Sequence, residues 1–516
     1  MIRIGIDVGG TNTDAVIMND RQVLHSIKAH TTEDVLTGVV KALRTLLDES
    51  EVDRNDVDVV MIGTTHFTNA VVQRKELAST AAVRLGLPAT ASLPPMVDWP
   101  EDLRESIGNH AFLAHGGFEF DGRKISNLDE DELRGIAKTI KERGIRSVAI
   151  STVFSPVNDE MERQAAAIFT SELGEGVHIT LSSDIGRIGL LERENAAIMN
   201  ACLRDLAKTT VKAFGDALIG VGIDAPFYLT QNDGTLMNAE TAERFPVLTF
   251  ASGPTNSMRG AAFLSGIKDA IVIDVGGTTT DVGALHGGFP REAGAAVEVG
   301  GVRTNFRMPD VFSIGLGGGS LVESGSKGVT VGPMSVGYQL PERGLVFGGS
   351  DLTATDIAVA GGRAQVGDAQ HVADLEANLV QGALDTMATM TERAVERMLL
   401  TPEPIPVIAV GGGSILVPDK VGELNVLRPD HYAVANAVGA AIAQISGEVD
   451  RVFSLAEMPR DEAVSQAKAE AIERAVDAGA DPDATEIVDV EDVPLAYLPG
   501  NATRIRVKAV GDLNGA

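Results

Sequence analysis

Apolar and polar positions along the chain switch between two spacings, and the switches mark out the elements. The first residues read as paired strands at Ile2–Ile6 and Ala15–Ile17, with a third at His25–Ala29. Val35–Leu47 then carries apolar residues at helical spacing, and Val57–Ile62 is an apolar run of strand length. That run ends in Gly63-Thr64-Thr65-His66, where a helix through Val71 and Val72 is predicted to begin. Strand and helix alternate again from 76 to 190, with an acid-capped amphipathic helix at Asp129–Arg143 and strands at Ser147–Thr152 and His178–Leu181. Such alternation predicts a mostly parallel sheet covered by helices.

Further on, the spacing predicts a long helix from Leu190 to Leu218, a strand at Ala225–Leu229 and a turn at Gln231-Asn232-Asp233-Gly234. Phe250-Ala251-Ser252-Gly253-Pro254 opens a helix near Thr255–Phe263. From Ala284 to Gly349 the text is rich in Gly, with short strands expected at Val299–Phe306 and Ser313–Val322. Helix returns over Val372–Leu399, where Met and Leu recur at core-facing spacing. Val407–Val410 is a last buried strand, and His431–Ile445 reads as a closing helix. The tail from Glu457 carries an Ala-rich helix at Arg460–Ala478 and strands at Thr485–Val490 and Arg504–Val510, read as a small appended element. The resulting division is a first nucleotide-binding half at 1–75, an adjoining α/β domain at 76–190, a second half at 191–456 and a C-terminal element at 457–516.

Within this frame one stretch occurs twice. Residues 4–17 read IGIDVGGTNTDAVI and residues 272–285 read VIDVGGTTTDVGAL, so that Asp7 matches Asp274 and Asp14 matches Asp281 at an offset of 267 residues. A strand running into a Gly-Gly-Thr turn brings backbone N–H groups and hydroxyls against phosphate oxygens. A carboxylate at the strand end can hold a hydrated Mg²⁺. One such turn is also what a plain hairpin uses; two copies point to duplicated halves closing on one nucleotide polyphosphate. The candidate phosphate contacts are Gly9, Gly10, Thr11 and Thr13 in the first copy, and Gly276, Gly277, Thr278, Thr279 and Thr280 in the second. A third Gly-rich turn, Gly411-Gly412-Gly413-Ser414, follows a strand and offers flat backbone to a nucleoside. Asp7 and Asp274 are the metal candidates, with Asp14 and Asp281 as supports or general bases. His66 follows a turn that should face the cleft and is a candidate proton shuttle, although a lone His is more often structural. Glu192 and Glu194, flanking Arg193, read as a capping and salt-bridge cluster.

Composition narrows the partners. The 516 residues are 44% hydrophobic and 22% charged, fitting a globular fold, and aromatics at 4% leave the core to aliphatic side chains. A formal charge of −29 argues against nucleic acid and anionic membranes as partners, so an anionic nucleotide must be held by local backbone donors and a metal. Cys202 is the only cysteine; with no signal-peptide pattern and no apolar run near the ~18 residues of a membrane span, a reducing cytoplasm is expected. Cys202 itself sits in NAAIMNACL and reads as a small core hydrophobe.

The order of phosphate loop, connecting helix, second phosphate loop, Gly-Gly-Gly turn and second connecting helix resembles the superfamily of actin, sugar kinases and heat-shock chaperone ATPases. Within it, the chain resembles the A-type, ATP-binding subunit of the hydantoinase/oxoprolinase family. The resemblance is carried by Asp7–Asp14, Gly63-Thr64-Thr65 with Thr68-Asn69-Ala70, Ala251-Ser252-Gly253-Pro254, Asp274–Asp281 and Ile314-Gly315-Leu316-Gly317-Gly318-Gly319-Ser320. Gly332-Pro333-Met334-Ser335-Val336-Gly337, Thr355-Asp356 and Tyr497-Leu498-Pro499-Gly500 add to it. The chain departs from the family pattern at Val311-Phe312-Ser313, where a His-Thr pair is common before Ile-Gly, and at Tyr338–Arg343.

The resemblance implies duplicated actin-like (ribonuclease H-like) α/β halves, ATP and Mg²⁺ as cofactors, and ATP-dependent opening of a cyclic amide, imide or lactam such as a hydantoin or 5-oxoproline. It also implies a B-type partner subunit or a homo-oligomer. The phosphate loops alone equally suit a small-molecule kinase or a nucleotide-switched, partner-binding reactivating protein.

Overall fold

The computed structural model describes residues 1–10, 12–30, 35–294, 296–326, 328–400, 404–456, 458–496 and 501–514. Thr11 and the Tyr497-Leu498-Pro499-Gly500 stretch lie outside the described residues.

Two sheets are built on the same plan. In the first, Ile2–Val8 pairs antiparallel with Asn12–Asn19, which pairs antiparallel with Gln22–His30; on its other side Ile2–Val8 runs parallel to Val57–Thr64. In the second, Ala270–Val275 pairs antiparallel with Thr280–His286, which pairs antiparallel with Val311–Ile314, while Ala270–Val275 runs parallel to Val407–Val410. The duplicated α/β architecture expected from the repeat is therefore present. Both Ile4 and Ile6 are fully buried, as are Ile273 and Val275, because helices cover each sheet on both faces.

Two helices join the halves at their middle. Ser252–Ser265 and Ala435–Ala441 cross with backbone almost against backbone: a Cβ on Gly260 would stand 1.8 Å from the Ala435 carbonyl oxygen, and one on Gly439 1.8 Å from that of Asn256. Only glycine permits that approach, and it carries the polar residues of both helices onto the ends of the central strands. The expected His431–Ile445 helix is thus shorter, because the strand Gln444–Ser454 begins within it.

Between 76 and 190 the strands form a separate all-parallel sheet in the order His110–His115, Thr80–Leu87, Ser147–Thr152, His178–Leu181. The strand expected at Ser313–Val322 is split by the Gly315–Gly319 turn into Val311–Ile314 and Ser320–Gly325, and Val299–Phe306 is instead a hairpin of Val297–Val299 and Val302–Thr304.

Spatial units do not follow the sequential division. Phe227–Thr230 and Thr235–Asn238 belong to the first sheet, not to a second half beginning at 191. The tail is not an appendage either: Gln444–Ser454, Ala502–Gly511 and Glu486–Pro494 extend that same sheet to nine strands. Its helix, Arg460–Asp477, buries Ala463, Ala467, Ala471 and Ala475 on them, one small residue per turn on a single stripe. Among the described residues no helix is long and apolar enough to cross a membrane.

Candidate active site

Each half carries an aspartate one residue before the end of its first strand and faces it with another. Asp7 lies opposite Asp14 and Asp274 opposite Asp281 in the antiparallel registers, so each pair projects from one face of its sheet. The two turns close alike: Gly9 N–H donates to the Asn12 carbonyl at 3.0 Å, and Gly276 N–H to the Thr279 carbonyl at 2.9 Å.

The second loop is further oriented by a Gly-rich partner. Gly318 and Gly319 N–H groups donate to the Gly276 and Gly277 carbonyls at 3.0 and 2.8 Å. Because C=O and N–H of a trans peptide point opposite ways, the N–H groups of Gly277 and Thr278 are turned away from that turn, toward the exposed side where Thr278 and Thr279 lie. Thr280 is different. It is buried and its hydroxyl donates to the Leu316 carbonyl at 2.6 Å, so the expected phosphate contact is not available. Thr13, its match, is likewise fully buried. Successive strand residues face opposite ways, so a strand that shows Asp14 or Asp281 to the cleft must turn its neighbouring threonine inward.

Asp7 is clamped on both oxygens. Asn256 Nδ2 donates to Oδ1 and Asn436 Nδ2 to Oδ2, each at 3.0 Å, from the two connecting helices. Burial raises its pKa against those two donors, and nearby Asp14 adds to the rise. Gly63 makes room, since a Cβ there would stand 2.3 Å from Asp7 Oδ1. In the other half, burial pushes the Asp274 carboxyl up to about 7 despite a hydrogen bond from Ser257, with Asp281 and Asp7 adding like charge. Asp281 is raised by burial too, while Ser313 Oγ donates to it.

Lys28 brings positive charge to this acidic centre. It stands in register with Asp14, and its Nζ donates to Asp14 Oδ1 at 2.5 Å. The Gly411–Ser414 turn closes over the end of the Ala270–Val275 strand: Gly413 N–H donates to the Val275 carbonyl at 2.9 Å, and a Cβ on Gly411 would stand 2.4 Å from Asp274 Oδ1. Ser414 Oγ is buried there with no hydrogen-bond partner among the described residues. Near it runs Lys28, whose Nζ lies 3.9 Å from where a Cβ on Gly412 would be.

This constellation fits a polyphosphate with its cation. Carboxylates packed this closely repel when ionised together, and a divalent ion relieves them. Among the described residues no three His, Cys, Asp or Glu side chains converge on a metal position. The donor set suits Mg²⁺, which keeps waters and phosphate oxygens and takes only one or two carboxylates from protein.

His66 begins the helix His66–Gln73, its ring beside Phe67 and its Nε2 4.0 Å from Glu76. The turn before it touches the first loop, where Thr65 Oγ1 donates to the Val8 carbonyl at 3.3 Å. Cys202 is buried, and burial pushes its thiol up to about 12, far from a reactive thiolate. Glu194 is sealed inside the protein with Arg84 as partner. Asn256, Asn436, Lys28, Ser257 and Ser313 were not legible as site residues. The one available signal was a polar side chain, Asn436, in the otherwise small and apolar run Ala433–Ala441.

A model described as the hydantoinase/oxoprolinase N-terminal region matches residues 3–173, and a second, described as hydantoinase/oxoprolinase, matches 193–368. Among curated proteins, an uncharacterized protein of Methanocaldococcus jannaschii is 25% identical over 428 residues, covering 77% of this chain and 62% of that one. The acetophenone carboxylase gamma subunit of Aromatoleum aromaticum is 26% identical over 392 residues, covering 69% and 52%. The caprolactamase subunit alpha of Pseudomonas jessenii is 25% identical over 387 residues, covering 69% and 54%. The chain thus spans between half and two thirds of the length of these relatives. The crystal structure of the ATP-dependent caprolactamase from Pseudomonas jessenii shares the fold, with a TM-score of 0.79 at 19% identity over 99% of this chain and 88% of that one.

Proposed function

The chain belongs to the hydantoinase/oxoprolinase family, and from that premise we propose that it binds Mg-ATP and phosphorylates the carbonyl oxygen of a cyclic amide so that water opens the ring. The observation that carries this reading is the pair of in-register aspartates repeated in both halves, with Asp7 locked by Asn256 and Asn436. Amide resonance makes the ring carbonyl a poor electrophile, and a phosphorylated oxygen removes that protection. When bound, ATP supplies the phosphoryl group and Mg²⁺ neutralises its charge, with Asp7 and Asp274 holding the ion or its waters.

Positioning and electrostatics carry phosphoryl transfer. The Gly277 and Thr278 N–H groups and the Thr278 and Thr279 hydroxyls would meet phosphate oxygens. Two amide donors fix the Asp7 carboxylate before anything binds, so little reorganisation is left for the reaction. The Gly411–Gly413 backbone would face the nucleoside. Asp14 and Asp281 stand as supports or proton acceptors, and His66 as an outlying candidate for proton transfer.

Two relatives are named as subunits, of a caprolactamase and of an acetophenone carboxylase. This supports a partner subunit that completes ring opening. The second of them favours an alternative: phosphorylation of a ketone's enolate oxygen ahead of carboxylation. A lactam and a ketone share the carbonyl oxygen, so the engine is common to both.

The test uses ATP carrying ¹⁸O in the β,γ bridge, mixed with the chain, Mg²⁺ and a panel of lactams, hydantoins, 5-oxoproline and aryl ketones. Bridge scrambling or ADP release stimulated by a cyclic amide is expected, and needs no partner. Stimulation by ketones alone would replace the first reading with the second. Binding of ATP without stimulation by any carbonyl compound would overturn both.

A further inference from the structure

Lys28 occupies a position that an ordinary cross-strand ion pair does not need. It starts on the strand Gln22–His30 of the first half, pairs with Asp14 at 2.5 Å, and ends against Gly412 of the second half. About a third of the side chain remains exposed, whereas Asp14 is buried. Its charge acts on Asp7 and on Asp274 alike. A flexible cation thus bridges the mouth between the halves, beside a turn with no side chain of its own.

We infer that Lys28 is a polyphosphate ligand, which neutralises Asp14 in the nucleotide-free protein and passes to a β- or γ-phosphate oxygen when Mg-nucleotide enters. Charge favours the exchange. The metal ion that accompanies the nucleotide takes over the neutralisation of the carboxylates, and a polyphosphate outbids one carboxylate for an ammonium group. The long stem lets Nζ move while the backbone stays paired in the sheet. The inference rests on the nucleotide reading given above and adds a residue that the phosphate-loop pattern does not contain.

Binding of Mg-ATP, Mg-ADP, AMP and adenosine to the wild-type chain, Lys28→Met and Lys28→Arg, followed by calorimetry, separates the possibilities. Lys28→Met should lose at least tenfold in affinity for Mg-ATP and Mg-ADP while AMP and adenosine stay within about twofold, and Lys28→Arg should recover most of the loss. Lys28→Gln, which can still donate to Asp14, replaces Lys28→Met should that variant not fold. Equal loss for all four ligands would make Lys28 a structural prop, and unchanged Mg-ATP affinity would make it a plain ion pair; either overturns the inference while leaving the nucleotide site standing. Failure of the wild-type chain to bind any of the four would overturn the nucleotide reading itself.

Discussion

The side-chain amide of Asn436 donates to Asp7 Oδ2 at 3.0 Å, so a helix near the end of the chain fixes the orientation of a carboxylate on its first strand. Asn256 does the same for Oδ1 from the other connecting helix and also reaches Thr230 Oγ1 at 3.1 Å. A hydrogen bond to a charged group contributes roughly 1.5–3 kcal/mol. If Asp7 must be held for phosphoryl transfer, Asn436→Ala should lower ATP turnover by about tenfold to a hundredfold, with far-UV circular dichroism unchanged. Turnover within twofold of wild type in a folded Asn436→Ala would show that the clamp does not matter.

Asp274 and Gly411 can be tested as a unit. Asp274→Asn removes a charge from the proposed cation position and should weaken Mg-ATP binding or turnover; normal kinetics would remove Asp274 from the site. Gly411→Ala leaves the carboxylate in the sequence but drives a methyl to 2.4 Å from its Oδ1, at a residue whose φ is +82°. It should reproduce the Asp274→Asn defect. Wild-type affinity in Gly411→Ala would mean that the Asp274 side chain is free to occupy another place without loss.

Much of this site could be read from the sequence because it is local. Asp7, its loop and Asp14 are neighbours along the chain, and their repeat at Asp274–Asp281 made the duplication plain. What could not be read is what arrives from elsewhere: Asn256 and Asn436 meet Asp7 only through helices whose crossing depends on Gly260 and Gly439. A hydroxyl in a phosphate-loop text suggests a phosphate contact at Thr13 and Thr280, whereas strand alternation turns both inward, and the Thr280 hydroxyl is spent on the Leu316 carbonyl. The tail strands were visible through the alternation of Ile505, Val507 and Ala509 with Arg504, Arg506 and Lys508, but nothing local said which sheet they would join.

The Glu194 carboxylate shows why an acidic pair at a helix start need not be catalytic. Arg84 Nε donates to it at 2.7 Å and Ser151 Oγ at 2.6 Å, and both charged side chains are sealed from solvent where the parallel sheet meets the long helix Leu190–Gly220. Removing one partner of a buried pair strands the other, at a cost of about 3–5 kcal/mol. Glu194→Gln should therefore lower stability by that order in urea titrations, and the loss should exceed that of Glu192→Gln, whose carboxylate lies 3.8 Å from Arg303 and is partly exposed. Equal, small losses in both variants would contradict the buried-pair account.

Asp233 gives the protein a predictable acid limb. Burial alone would raise its carboxyl, but Lys508 Nζ at 2.8 Å and the Thr235 hydroxyl at 2.6 Å, with Arg307 nearby, hold it down at about 2 against an ordinary 3.8. A carboxyl that ionises more readily in the folded chain stabilises it fully above the unfolded value. That contribution fades as pH falls from about 4 toward 2, because the unfolded chain takes up the proton first. The shift corresponds to about 2 kcal/mol in all, of which about 1 kcal/mol should be gone by pH 3. Asp233→Asn has no such proton to take up and also leaves the Lys508 ammonium without its counter-charge, so it starts less stable. The gap in unfolding free energy between wild type and Asp233→Asn should then narrow by about 1 kcal/mol between pH 5 and pH 3. A gap that stays constant or widens over that range would show that Lys508 does not hold the Asp233 carboxylate ionised in the folded protein.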